Sequence, residues 1–192
     1  MVCTWQISHL AKRCEIPYGN IAETSFPAYR FPIPQRAPKN AEERTKMMST
    51  RQSALTVHAV HLDVKVASRW EAVAHLGAEL ERTGAAHTGY ADSLVARERR
   101  FSTYLGHGIA VPHALHTHDY LLTGEGMVFA RFAAPIPWDD EEVSIAVAVA
   151  APASTQVEIL CRLTATFLNP GHLDTLATSA DPTAIARVLQ HT

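Results

Sequence analysis

The chain has 192 residues, of which 47% are hydrophobic and 19% are charged, and its formal net charge is −2 when the histidines are neutral. These proportions are typical of a globular protein, and no apolar run approaches the roughly 20 residues that a membrane-spanning helix needs. The N-terminus lacks the continuous apolar segment of a secretory signal, so the predicted location is the cytoplasm. Residues 53–192 contain 9 basic and 15 acidic side chains, a balance that argues against a nucleic-acid partner.

Two regions differ in composition. Residues 1–52 contain 5 of the 11 prolines and show no lasting helical or strand period, so we predict an N-terminal extension that is mostly disordered. Residues 53–192 are predicted to form one domain. Two interpretations of the extension stay open: it precedes a natural start near Met47 or Met48, or it is a functional tail.

The first half of the domain predicts a strand and two helices. The strand covers 55–62, and a capping box then begins a helix, with Ser68 at the N-cap and Glu71 three residues on. Gly84 is predicted to end that helix, and a second helix fits about 88–100. The residues expected on the inner face of the first helix follow a helical period: Trp70, Val73, Ala74, Gly77 and Leu80.

The second half continues the alternation. Strands are predicted at 127–132 and 143–150, the latter apolar enough for the centre of a sheet. A helix is expected from Ser154 or Thr155, with a capping box from Thr155 to Glu158, and it ends at Asn169. Short helices follow at about 172–177 and from Asp181. Helices interleaved with strands predict an α/β layer structure.

One segment, Thr103-Tyr-Leu-Gly-His-Gly-Ile-Ala-Val-Pro-His113-Ala, combines a glycine turn, a short strand and a histidine. Gly106 and Gly108 allow a tight turn, and 109–111 is predicted to be a buried strand that Pro112 stops. His113 is therefore held at a strand end. Neutral imidazole is a nucleophile near neutral pH, so His113 is the candidate for attack on a phosphoryl group.

The run from Arg99 to Ala114 resembles the active-site segment of enzyme IIA domains of the mannitol/fructose class in the bacterial sugar phosphotransferase system. The resemblance extends over about 54–190. It implies a single domain with a small mixed β-sheet flanked by helices on both faces. It also implies a phosphotransferase component in which His113 accepts a phosphoryl group from the phosphocarrier protein HPr and passes it to an EIIB domain. The resemblance implies no cofactor, and contact with the membrane only indirectly through the permease complex.

Several residues are candidates for supporting His113. Backbone amides of the Gly106–Gly108 loop are predicted to form an anion nest. By resemblance, Thr103 matches a hydroxyl residue near the site, and Arg97 matches the arginine of an Arg-Glu pair and is the candidate for neutralising phosphate. Gln156 stands where the family generally carries a second histidine, and glutamine can donate a hydrogen bond but cannot become cationic.

Two alternatives remain open. His107, His116 and His118 lie close to His113 in sequence, which raises the question of a zinc site, but no cysteine pair or HExxH motif accompanies them, so no metal is predicted.

The second alternative is functional: the absence of the second histidine, with Gln156 in its place, leaves room for a regulatory EIIA-like module. In such a module the phosphorylation state controls a protein partner.

Overall fold

The computed structural model describes residues 55–190, and its centre is one five-stranded mixed sheet. The order of the strands across the sheet is β1-β4-β5-β3-β2. The β1–β4 and β3–β5 pairs are parallel, and the β2–β3 and β4–β5 pairs are antiparallel. The strands are β1 (Thr56–Val64), β2 (Tyr104–Gly106), β3 (Ile109–Ala110), β4 (Gly126–Trp138) and β5 (Glu141–Ala150).

Five α-helices and one 3-10 helix surround the sheet in the described part of the chain. The 3-10 helix covers His116–Leu121. None of the helices within 55–190 is long and apolar enough to cross a membrane. The α-helices are α1 (Arg69–Arg82), α2 (Tyr90–Arg100), α3 (Ala153–Leu168), α4 (Pro170–Thr178) and α5 (Pro182–Gln190).

The two faces of the sheet carry separate cores. Alternation along β5 sends Ala146 and Ala148 to the face covered by α1 and α2, and sends Val147 and Val149 to the face covered by α3, α4 and α5. All four side chains are fully buried, because both faces of this strand are covered by helices. The prediction of a mixed sheet with helices on both faces is confirmed. The prediction for residues 1–52 lies outside the described residues.

Two residues that were predicted to lie on the inner face of α1, Trp70 and Ala74, are exposed. Trp70 was expected on the inner face of α1, but it is 37% exposed. The guanidinium of Arg69 lies 4.3 Å from its ring centroid and that of Arg99 lies 5.9 Å away. Cation–π contacts of this kind are made by an indole whose ring is accessible to charged side chains at the surface. Ala74 is also exposed. The buried face of α1 is rotated from the predicted one and consists of Ala72, Val73, Leu76, Gly77 and Leu80.

The second capping box does not form. The N-cap of α3 is Pro152, which offers no side-chain cap. The hydroxyl of Thr155 instead donates to the carboxylate of Glu125, and Glu158 is exposed. Of the first capping box, the serine half forms: Ser68 accepts a hydrogen bond from the amide of Glu71 at 3.3 Å. The carboxylate of Glu71 accepts from the amide of Ala67 at 2.8 Å, one residue before the N-cap that the prediction named.

Candidate active site

His113 lies just beyond β3, where the central strand β5 holds it. The carbonyl oxygen of Pro112 accepts a hydrogen bond from the amide of Val149 at 2.8 Å, and His113 forms an isolated parallel bridge with Val149. Pro112 is buried, and His113 is only partly exposed. The prediction that a rigid strand end carries His113 matches this geometry, since β5 continues the pairing past the point where Pro112 stops β3.

The imidazole of His113 is held in one tautomer. Its Nδ1 lies 2.7 Å from the carbonyl oxygen of Val111, and because a carbonyl can only accept, Nδ1 carries the proton. The lone pair of Nε2 is therefore directed away from the backbone. Burial, with a further contribution from the positive charge of Arg97, lowers the pKa of His113 to about 4 against the opposing effect of the Val111 carbonyl. The ring is thus neutral at physiological pH.

Arg97 supplies the positive charge next to His113. It lies in the last turn of α2, and one of its guanidinium nitrogens donates to the carbonyl oxygen of Phe101 at 2.6 Å. Within 55–190, the ion pairs of the structure do not include Arg97. Burial lowers the pKa of Arg97 from its usual value, but a guanidinium remains charged in proteins. The positive charge of Arg97 thus acts on His113, and the carboxylate of Glu98 acts on Arg97 in turn, although the two form no salt bridge.

Thr103 is buried and points to Glu98. Its hydroxyl and its backbone amide both donate to Oε2 of Glu98, at 2.5 and 2.8 Å. The carbonyl oxygen of Thr103 accepts a hydrogen bond from the amide of Val111 at 3.0 Å. The hydroxyl proton of Thr103 thus goes to Glu98, and its carbonyl oxygen is bonded to the strand that leads to His113.

The glycine loop is placed away from His113. Gly106, His107 and Gly108 all adopt positive φ angles of 120°, 52° and 72°, so the tight turn forms as expected. However, the carbonyl oxygen of Gly108 accepts from the amide of Ser144 at 2.8 Å, whereas His113 is level with Val149. Five residues along a strand span about 16 Å. The structure therefore does not bring these amides to His113, because β3 separates the loop from the histidine.

Gln156 lies beside the segment that carries His113. Its side-chain amide donates to the carbonyl oxygen of Ala114 at 3.0 Å. This residue is in the first turns of α3, whose start is held by a hydrogen bond from the amide of Ala153 to the carboxylate of Asp119 at 2.9 Å. The side chain of Gln156 is thus bonded to the residue that follows His113, and its role toward a phosphoryl group stays a prediction.

The other histidines of this region do not converge. His107 and His116 are exposed, and the ring of His118 lies 6.3 Å from that of Tyr120. In the described residues no group of three or more histidine, cysteine or acidic side chains is arranged to hold a metal ion.

Sequence reasoning missed two residues of this site. The hydroxyl of Tyr90 donates to the carbonyl oxygen of Val149 at 3.1 Å, directly beside the His113 bridge. Burial raises the pKa of Tyr90, so it stays a donor. Glu98 was noticed only as the neighbour of Arg97, yet it is 3% exposed and accepts three hydrogen bonds. Its position, five residues before a buried threonine at a strand entry, carried no pattern that identifies it.

Comparison with known proteins agrees with this architecture. The family model described as "Phosphoenolpyruvate-dependent sugar phosphotransferase system, EIIA 2" matches residues 53–192. The mannitol-specific phosphotransferase enzyme IIA component of Halalkalibacterium halodurans is 27% identical over 125 residues, which cover 65% of this chain and 86% of that protein. A multiphosphoryl transfer protein of Xanthomonas campestris is 28% identical over 144 residues, 74% of this chain. The chain spans only 17% of the length of that protein.

Solved structures share the fold. The IIA mannitol domain in a complex with phosphorylated IIB mannitol from Escherichia coli superposes with a TM-score of 0.66 at 22% identity, over 72% of this chain and 98% of that one. The nitrogen regulatory protein IIA-Ntr of Neisseria meningitidis gives a TM-score of 0.59 at 27% identity, over 69% and 92% of the two chains. With a family match over most of its length, the chain belongs to the EIIA 2 family of the phosphoenolpyruvate-dependent sugar phosphotransferase system.

Proposed function

We propose that this protein is a phosphocarrier that accepts a phosphoryl group from HPr on His113 and passes it to an EIIB domain in sugar uptake of the mannitol/fructose type. The observation that carries the proposal is the state of the His113 ring. The ring is neutral, its Nδ1–H donates a hydrogen bond to the carbonyl oxygen of Val111 at 2.7 Å, and Nε2 keeps its lone pair. A neutral imidazole in a fixed orientation is a competent nucleophile toward phosphorus.

The proposed step is an in-line displacement. The Nε2 lone pair of His113 attacks phosphorus, and a new N–P bond forms as the bond between phosphorus and the donor atom of HPr breaks. That donor atom keeps the bonding electron pair. The proton on Nδ1 stays in place during attack, so positive charge develops on the ring and is stabilised by the carbonyl oxygen of Val111. Transfer to EIIB is the same displacement with His113 as leaving group.

The incoming phosphoryl oxygens need a positive partner. Arg97 supports this role because, after burial, its positive charge is the second cause that lowers the pKa of the His113 ring. A guanidinium can bind two phosphoryl oxygens at once. We therefore assign Arg97 to neutralising the phosphoryl group.

Exposed apolar side chains on segments next to His113 support a docking surface for protein partners there. Three large apolar side chains are exposed on elements next to the histidine: Phe101 at 68%, Tyr120 at 75% and Val157 at 60%. Phe101 adjoins Arg97, and Val157 follows Gln156. Exposed aromatic and aliphatic side chains around a polar centre are typical of transient protein–protein contacts. We propose that HPr and EIIB dock here in turn, and that the protein works in the cytoplasm without a cofactor.

Incubation with phosphoenolpyruvate, enzyme I and HPr tests the proposal. One acid-labile phosphate per chain is expected, and His113→Ala should abolish it. His107→Ala is a matched control, because it removes an exposed histidine of the same segment, in the turn beyond Gly108, which itself lies about 16 Å from His113 along the strand. Labelling that survives His113→Ala would contradict the assignment.

A regulatory role is the second candidate. The observation that favours it is the similarity to nitrogen regulatory protein IIA-Ntr, together with Gln156 in place of a second histidine. In this case His113 is phosphorylated by HPr, but the added negative charge switches a partner contact instead of being passed on. Adding an EIIB domain to the labelled protein separates the two roles, since a phosphocarrier loses its label and a regulatory module retains it.

A further inference from the structure

We infer that Glu98 is a positioning residue for phosphoryl transfer, which orients the imidazole of His113 through Thr103 and the strand at Val111. The inference rests on the proposed function of His113, and it adds a residue that touches neither the phosphoryl group nor the ring.

The carboxylate of Glu98 is buried and fully used. Oε2 accepts from the amide and the hydroxyl of Thr103 at 2.8 and 2.5 Å, and Oε1 accepts from the indole nitrogen of Trp138 at 2.8 Å. Glu98 is 3% exposed and Trp138 is fully buried. Three donors from two elements thus converge on one anion, and the end of β4 is tied to the entry of β2.

A continuous set of hydrogen bonds leads from this carboxylate to the nucleophile. Glu98 fixes the backbone of Thr103, and the carbonyl oxygen of Thr103 accepts from the amide of Val111 at 3.0 Å. The carbonyl oxygen of the same Val111 accepts from Nδ1 of His113 at 2.7 Å. Val111 therefore links the two ends of this set. Its amide is bonded to Thr103, whose backbone Glu98 holds, and its carbonyl oxygen orients the ring of His113.

Only a carboxylate at residue 98 can accept the hydrogen bonds from both Thr103 and Trp138. A glutamine at this position has one acceptor oxygen and an amide that only donates. It cannot accept from both Thr103 and Trp138, so at least one buried donor would lose its partner. Burying a carboxylate is costly. Among 55–190 Glu98 forms no salt bridge, and the cation that acts on it electrostatically is Arg97. A purely apolar packing of this corner would avoid that cost but would leave Val111 less firmly placed.

The test uses two variants and two controls. Glu98→Gln removes the charge and part of the acceptor capacity, while Thr103→Val removes only the hydroxyl and keeps the shape. Thr103→Ser restores the hydroxyl. Glu81→Gln is the control for stability alone, because Glu81 also accepts two amide hydrogen bonds, from Gly89 and Ala91, and it does so at the other end of α2.

The first readout is the ¹⁵N spectrum of the His113 ring in the unphosphorylated protein, which reports the tautomer. Wild type, Thr103→Ser and Glu81→Gln should show Nδ1–H only, whereas Glu98→Gln and Thr103→Val should show a mixture of tautomers. The second readout is the rate of phosphorylation by phospho-HPr, which should fall about tenfold or more in Glu98→Gln, the scale of one charge-assisted hydrogen bond.

The outcomes separate the inference from the proposed function. A single Nδ1–H tautomer in both Glu98→Gln and Thr103→Val overturns the inference, and so does a wild-type rate in a folded Glu98→Gln. If Glu98→Gln does not fold, Thr103→Val decides. The ¹⁵N spectrum that reports the tautomer needs no phosphoryl donor. If HPr fails to phosphorylate the wild-type protein, the proposed function is refuted, but the spectra of the variants still decide the role of Glu98.

Discussion

The low pKa of His113 predicts a specific loss of stability in acid, which His113→Gln should remove. Glutamine keeps the size and can still donate to the carbonyl oxygen of Val111, but it does not titrate. In the folded protein the ring binds a proton only near pH 4, mainly because it is buried, whereas its ordinary pKa is 6.5. Between these values the unfolded chain binds more protons, so the stability of the wild type falls as the pH is lowered.

The size of the effect follows from the two pKa values. A separation of about 2.5 units at 1.36 kcal/mol per unit corresponds to about 3 kcal/mol. The full stability is present above pH 6.5, the loss begins as the pH falls through that value, and it is nearly complete at pH 4. All other titrating groups are shared by the two proteins, so they cancel in the difference.

Urea unfolding from pH 8 to pH 4 measures this difference directly. The free energies of unfolding of the two proteins should run parallel above pH 7, and the wild type should lose about 3 kcal/mol relative to His113→Gln by pH 4. Parallel curves over the whole range would refute the claim that burial and Arg97 keep the ring neutral. A wild type that gains stability in acid would show that the ring is paired with an anion instead.

Three further changes have defined outcomes. Arg97→Gln should lower the rate of phosphorylation by about tenfold or more in protein that still unfolds cooperatively, and Arg97→Lys should recover part of that rate; equal rates would remove Arg97 from the site. Gln156→His should raise the rate of phosphoryl transfer or the lifetime of the phosphorylated protein, measured by loss of label. If neither the rate nor the lifetime changes, residue 156 only holds the backbone at Ala114 and takes no part in transfer. A chain that begins at Met48 should melt within a few degrees of the full chain in calorimetry, because we propose that the domain is contained in 53–192; a large loss of melting temperature would refute that boundary.

The fold could be predicted because its signals are local. Alternating apolar runs and capping residues fixed the order of strands and helices, and the apolar run at 143–150 identified the central strand. Trp70 shows where such reasoning stops. The helical period places it close to the buried stripe, but the guanidinium groups of Arg69 and Arg99, 30 residues apart in sequence, hold its ring at the surface.

The candidate site was predictable at His113 and less so around it. Pro112 and the short strand before it placed the histidine correctly, because these are properties of adjacent residues. The glycine loop was assigned to phosphate because it is close in sequence, but the pairing of β3 with β5 carries it to the other end of the strand. Glu98 and Tyr90 were missed because their roles depend on Trp138 and Val149, 40 and 59 residues away, and no local pattern contains that information.

The most direct test of the account is to follow the phosphorus by NMR after charging the protein with phosphoenolpyruvate, enzyme I and HPr, and then adding an EIIB domain. We expect one phosphorus signal coupled to Nε2 of His113, which disappears as a signal on EIIB grows. A phosphorus atom on Nδ1 would contradict the assignment, because the hydrogen bond to Val111 occupies that nitrogen. A phosphorus atom on another residue would contradict the central claim that His113 is the phosphoryl acceptor.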